Sequence, residues 1–253
     1  MSSNNRTRLD VRLVNEGLVS SRSQAESYIK LRLVSVDGVV VNKAGYPIAP
    51  SQSVKLLLST QYVNRAALKL ESIVKEFKIN FRGSKVLDVG SSTGGFTDYA
   101  LKQGALKVFA VEIGSDQLHP TLRNNLDIEL YEKTDILDVA PFGSQLPGVS
   151  LSFVPDFVVI DLSFISLRDI LPHISKLIST NTQVIAMVKP QFEANQTGLK
   201  HKGVIKNENI RRQILREFEA WLRDYFVVVN KADSKVAGAK GNLERFYLLK
   251  KLI

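Results

Sequence analysis

The chain has 253 residues, 44% apolar and 23% charged, which excludes global disorder and suits one large domain with a small companion. It contains no cysteine, so disulfide frameworks, CxxC metal sites and thiol nucleophiles are excluded together. Basic residues outnumber acidic ones 34 to 25, and residues 1–63 hold 8 basic against 4 acidic, so a polyanion partner is expected.

In chain order, MSSNNRTRLDVR has no apolar stretch of the kind a secretory signal needs. No run of 18 apolar residues follows, so a cytoplasmic protein without membrane insertion is expected. Leu9, Leu13 and Val14 mark one face of a short helix, with Gly17 as its stop. Ser21 with Gln24, and Ser23 with Glu26, form overlapping capping boxes for a second helix, which turns Ala25, Tyr28 and Ile29 inward. Val34 to Val36 and Val39 to Val41 flank Asp37-Gly38, a type I′ hairpin signal. A strand from Val54 to Leu58 closes a small α+β domain over 1–58, and 59–63 reads as a linker.

From residue 64 to 253 strands alternate with helices. Strands are expected at Lys85–Gly90, Lys107–Glu112, Ile128–Glu132, Phe157–Asp161 and Gln183–Val188. Helices are expected at Phe96–Gln103, Arg168–Ile178 and Glu208–Leu222. Tyr225–Asn230 and Arg245–Leu249 follow one another without a helix, which suggests an antiparallel end to the sheet. The fold class is α/β: a doubly wound, mostly parallel, Rossmann-like sheet. Ligands in such sheets lie beyond the carboxyl ends of the strands.

The loop Asp88-Val-Gly-Ser-Ser-Thr-Gly-Gly-Phe96 sits at such an end. It fails as a Walker A loop because Phe96 stands where lysine is required, and as a dinucleotide fingerprint because Ser92 replaces the second glycine. Glu112 and Asp135 follow the next two strands. Acids at three strand ends around a glycine loop suit S-adenosylmethionine, whose sulfonium and amino group are cationic and whose ribose offers two donors. A strand-end acid is also an ordinary helix N-cap. The expected cofactor site is Asp88, Gly90, Ser91, Ser92, Thr93, Gly94, Gly95, Phe96, Glu112, Ile113, Asp135 and Ile136.

Four motifs then stand in order: Asp88-Val-Gly-Ser-Ser-Thr-Gly-Gly-Phe-Thr97, Asp161-Leu-Ser-Phe-Ile-Ser-Leu167, Val188-Lys-Pro-Gln-Phe-Glu193 and Gly241-Asn-Leu-Glu244. Together they resemble the TlyA family, FtsJ-like ribose 2′-O-methyltransferases of ribosomal RNA, often called haemolysins. The run from Arg8 through Gly17, Ser21, Ala25 and Ile29 to Gly38 resembles the small RNA-binding module of ribosomal protein S-four. The resemblance implies a methyltransferase fold, S-adenosylmethionine as cofactor, no metal, ribosomal RNA or a subunit as partner, and methylation of a cytidine ribose. It also implies a catalytic tetrad of Lys69, Asp161, Lys189 and Glu244. Three positions depart from the family pattern: Asn64-Arg65-Ala66 replaces Ser-Arg-Gly, Arg32 replaces a glycine, and Thr134-Asp135 replaces Thr-Asn.

The chemistry accounts for the tetrad. A ribose hydroxyl must lose its proton as it attacks a sulfonium methyl in line. A desolvated lysine near a second cation can take that proton or stabilise the alkoxide. Lys189 ends the apolar run Ile185-Ala-Met-Val188 and is assigned that role. Lys69 supplies the second charge, Asp161 orients Lys189, and Glu244 pairs with Lys69.

RNA contacts are expected from Arg6, Arg8, Arg22, Lys30, Arg32, Lys43, Lys200 and Lys202, with Arg211, Arg212 and Arg216 either joining them or lining a solvated helix face. His119, His173 and His201 are scattered and read as structural or solvated. Two rival functions remain: an assembly factor on an inert methyltransferase fold, and a membrane-lytic protein. An intact tetrad argues against the first. The second lacks a spanning or strongly apolar amphipathic segment.

Overall fold

The computed structural model describes residues 6–19, 21–57, 61–194, 203–236, 238 and 241–252. The chain folds as two units, Met1–Arg65 and Ala66–Ile253. Tyr62, placed by the sequence in the linker, is buried, and its carbonyl accepts from Gln24 Nε2 at 2.9 Å.

The small unit runs β1 (Thr7–Arg8), α1 (Leu9–Asn15), α2 (Arg22–Lys30), β2 (Val34–Val36), β3 (Val39–Val40), β4 (Pro47–Ile48) and β5 (Val54–Leu56). Leu9, Leu13, Ala25, Tyr28 and Ile29 are fully buried. Ser21 caps α2 by accepting from the Gln24 amide at 3.2 Å. Asp37 and Gly38 both have positive φ, and Val36 pairs with Val39, as a type I′ turn requires.

Both helices end in the same way. The Gly17 amide donates to Val14 O and the Leu18 amide to Leu13 O, each at 3.0 Å. At the end of α2 the Arg32 amide donates to Ile29 O and the Leu33 amide to Tyr28 O. These are Schellman caps, which want a left-handed residue. Gly17 supplies it freely at φ 68°, whereas Arg32 adopts φ 61° at a steric cost of about 1–2 kcal/mol. The backbone is thus kept where the family's glycine is missing.

The large unit holds α3 (Ala66–Phe77), β6 (Lys85–Val89), α4 (Gly95–Lys102), β7 (Lys107–Val111), α5 (Pro120–Arg123), β8 (Ile128–Tyr131), β9 (Phe157–Ile160), α6 (Leu167–Leu177), β10 (Gln183–Val188), α7 (Pro190–Glu193), α8 (Glu208–Leu222), β11 (Phe226–Asp233) and β12 (Arg245–Lys251). The seven strands order as β11-β12-β10-β9-β6-β7-β8. β12 runs antiparallel to both neighbours and the pairs from β10 to β8 are parallel. Short apolar strands such as Phe157–Ile160 are buried throughout, as a sheet covered on both faces requires. The strand order reverses between β6 and β9, which places the ligand crevice there.

α3, an element beyond those expected from the sequence, carries an apolar face: Ala67, Leu70, Ile73, Val74 and Phe77 are buried at helical spacing. It matters because it carries Lys69.

Candidate active site

Sheet register explains how distant residues meet. β10 ends at Val188, opposite Arg245 at the start of β12. Lys189 and Glu244, the next residues on each strand, therefore leave the sheet side by side. β9 lies along the other side of β10 and delivers Asp161. α3 brings Lys69 from outside the sheet.

Two ion pairs result, one buried and one partly buried at the edge of a cavity. Lys69 Nζ lies 2.6 Å from Glu244 Oε2, and Lys189 Nζ lies 2.6 Å from Asp161 Oδ1. Lys189 Nζ also donates to Ser163 Oγ at 2.7 Å. Gly238 leaves room for Glu244, because a Cβ there would overlap the carboxylate. Charges this buried are tolerated because each has a partner.

A cavity of about 490 Å³ opens beyond the ends of β6, β7 and β9. Apolar Val89, Val111 and Ile136 share its wall with the carboxyl-bearing Glu112, Asp135 and Asp161. Its size and mixture of a few polar groups among apolar ones suit a small organic ligand. Gly90 has φ 80°, and a Cβ there would stand 2.7 Å from Leu162 and 3.2 Å from Asp161 O. Glycine is required at that corner both for conformation and for space.

Asp88 lies beneath the loop. Its Oδ2 accepts from Thr97 Oγ1 at 2.6 Å, while its Oδ1 and Ser91 Oγ are buried with no hydrogen-bond partner among the described residues. Burial, with Asp161 and Glu112 adding like charge, pushes the Asp88 carboxyl up to about 7. The unfolded carboxyl releases its proton near 3.8. Between about pH 4 and 7 the folded chain therefore holds a proton that the unfolded chain has lost, and stability falls as pH rises through that window. Asp88→Asn should flatten this slope. Thermal melting at about pH 5 and pH 8 checks it; an equal slope in both proteins would remove Asp88 as its source.

Residues 62–252 match the model of the FtsJ-like methyltransferases. The chain belongs to that family. Residues 7–54 match the S4 domain. Hemolysin A of Brachyspira hyodysenteriae is 36% identical over 241 residues, 94% of this chain and 97% of that one. The 16S/23S rRNA (cytidine-2'-O)-methyltransferase TlyA of Mycobacterium tuberculosis is 32% identical over 97% of this chain and 90% of its own. A solved structure from Streptococcus thermophilus that carries the hemolysin name is 33% identical, with a TM-score of 0.70 over 97% of this chain and 88% of that one.

Within this FtsJ-like unit the expected cofactor residues divide. Gly90, Ser92, Glu112, Ile113, Asp135 and Ile136 line the cavity. Asp88, Ser91, Thr93, Gly94, Gly95 and Phe96 do not. Phe96 is core, 3% exposed and 6.3 Å from the Phe246 ring. Gly94 and Gly95 start α4, where a Cβ on Gly94 would press on Leu118 and Leu122. Asp135 also realises the plain alternative: its Oδ1 accepts from the Leu137 amide at 3.0 Å and caps a short 3₁₀ turn. Glu112 accepts from the amides of Ser92 (2.9 Å) and Gly114 (2.7 Å), tying the glycine loop to the next strand end.

The cavity wall also holds Gln117, Thr134, Leu162, Ser163, Phe164 and Ile165, which sequence reasoning did not select. Ser163 and Phe164 lie inside the Asp161 motif, so that motif was the available signal. Phe164 is 90% exposed, with φ 71° and its ring 5.3 Å from that of Phe192.

The expected RNA residues are also sorted. Arg6, Lys30, Arg32 and Lys43 are exposed. Arg8 and Arg22 are exposed too, but both pair with the buried Asp10, at 2.9 and 2.8 Å. Those guanidiniums hold the Asp10 carboxyl down at about 2. Lys200, Lys202 and His201 lie outside the described residues. Arg211 is neither an RNA contact nor part of a solvated face. It is buried, paired with Asp233, and donates to Leu243 O at 3.2 Å, bracing the turn before Glu244. Arg212 and Arg216 remain exposed. Among the described residues no helix is long and apolar enough to cross a membrane, and no cluster of acids and histidines could hold a metal.

Proposed function

We propose that this chain transfers a methyl group from S-adenosylmethionine to the 2′-hydroxyl of a cytidine ribose in ribosomal RNA, in the cytoplasm. One observation carries the reading: Lys189 Nζ touches Asp161 and Ser163, and both of these line the cavity. A candidate proton acceptor thus adjoins the pocket that would hold the donor.

The donor, when bound, supplies a methyl on a cationic sulfonium. Glu112 would accept from its ribose hydroxyls, and Asp161 would place negative charge near its cation. Val111 and Ile136 would give the adenine an apolar wall. The free-amine form of Lys189, shielded from water, takes the 2′-hydroxyl proton as the oxygen attacks. Lys69, fixed by Glu244, adds positive charge beside the developing alkoxide. In-line alignment supplies much of the remaining rate. Phe164 offers an exposed ring at the rim on which the target base can stack. Arg6, Lys30, Arg32 and Lys43 suit phosphate contacts, which position RNA without reading its sequence.

The names of the relatives support ribosomal RNA as substrate and cytidine as target. The test is transfer of labelled methyl to purified ribosomal subunits, with the modified nucleotide mapped as 2′-O-methyl. Transfer to a base or to protein, or none to either subunit, would overturn the reading.

A further inference from the structure

We propose that Gln117 is a further recognition residue for the donor nucleoside: its carboxamide takes one ribose hydroxyl while Glu112 takes the other. The inference rests on the methyl-donor reading above and deepens it.

Glu112 alone is poorly supplied for a diol. A carboxylate has about four lone-pair sites. Three are already taken, by the amides of Ser92 and Gly114 and by Gln117 Nε2, which leaves one for two hydroxyls. Beside it, Gln117 lines the same cavity, with Nε2 3.5 Å from Glu112 Oε1. Gln117 Oε1 accepts from Ser92 Oγ at 3.2 Å, which leaves its second lone pair for a ligand hydroxyl.

The surroundings aim this side chain. Gly114 provides its bed, because a Cβ there would overlap the Gln117 amide nitrogen. Asp116 turns the chain sharply at φ 55°. Glu132 Oε1 then accepts the amides of Gln117 (2.9 Å) and Leu118 (3.4 Å). Arg123 holds that carboxylate at 3.2 Å and donates to Leu118 O at 3.0 Å. An exposed glutamine without a role would need neither the bare glycine nor the clamp. Glu132 and Arg123 act as positioning residues, through the backbone of Gln117.

The probe is S-adenosylhomocysteine, titrated calorimetrically into the full chain, with its 2′-deoxy and 3′-deoxy analogues. Gln117→Ala should weaken binding of the intact probe by about threefold to tenfold, the size of one neutral hydrogen bond. With one of the two deoxy analogues that loss should vanish. Gly114→Ala, which pushes the amide off its bed, should reproduce the weakening. Unchanged affinity in Gln117→Ala, or the same loss with both analogues, would overturn the inference and leave the methyl-donor reading standing. No binding of the probe to the unaltered protein would overturn the methyl-donor reading itself.

Discussion

Lys189→Ala is expected to slow single-turnover methylation by about 10²–10⁴-fold, the usual worth of a positioned general base, with donor affinity nearly unchanged. Lys189 stands at the end of the apolar strand β10 and is 8% exposed. Its ammonium contacts Asp161 and Ser163, so water has little access to it. Lys189→Arg separates two roles. Arginine keeps the charge but does not shed a proton near neutral pH. If proton removal is the role, arginine fails as alanine does. Substantial activity in Lys189→Arg would show that charge alone suffices. Near-normal turnover in Lys189→Ala would transfer the rate to Lys69 or to alignment alone.

Glu244→Ala is expected to destabilise the large unit by about 3–5 kcal/mol, because it strands the Lys69 charge in a buried site. Both side chains of the pair are almost wholly buried, and their contact is 2.6 Å. Replacing both partners removes the stranded charge. The double variant Lys69→Met/Glu244→Leu should regain most of the lost stability and still lack activity. Urea unfolding measures the first effect and methyl transfer the second. A single variant as stable as the parent would mean that water reaches Lys69. An active double variant would remove Lys69 from the chemistry.

These two pairs show where sequence reading succeeds and where it stops. Lys189 and Asp161 were legible as residues at the ends of apolar strands, because a buried parallel strand announces itself by composition and ligands gather beyond it. Lys69 was legible only through resemblance. Its helix α3 has a clear apolar spacing, yet no local rule says that a lysine on it will point at a glutamate 175 positions later. Arg211 is hidden from the sequence for the same reason. On α8 it follows Ile210 and precedes another arginine, as a surface residue would, and only Asp233 and Leu243 O across the turn make it internal.

The sequence by itself determined what depends on near neighbours. The alternation of apolar strands and amphipathic helices, the Asp37-Gly38 turn and the Ser21 cap follow from steric and hydrogen-bonding preferences spanning a few residues. So does the exclusion of Walker and dinucleotide loops at Phe96 and Ser92. Tertiary structure decided what depends on register and on the sign of long-range pairing. It inserted β12 between β10 and β11, which sets Glu244 beside Lys189. It also divided the glycine loop, turning Gly90 and Ser92 to the cavity and Phe96 to the core. Residues one to six positions apart on a tight loop face opposite ways. Which way each faces is set by the sheet and helices packed around the loop, and no pattern within the loop encodes it.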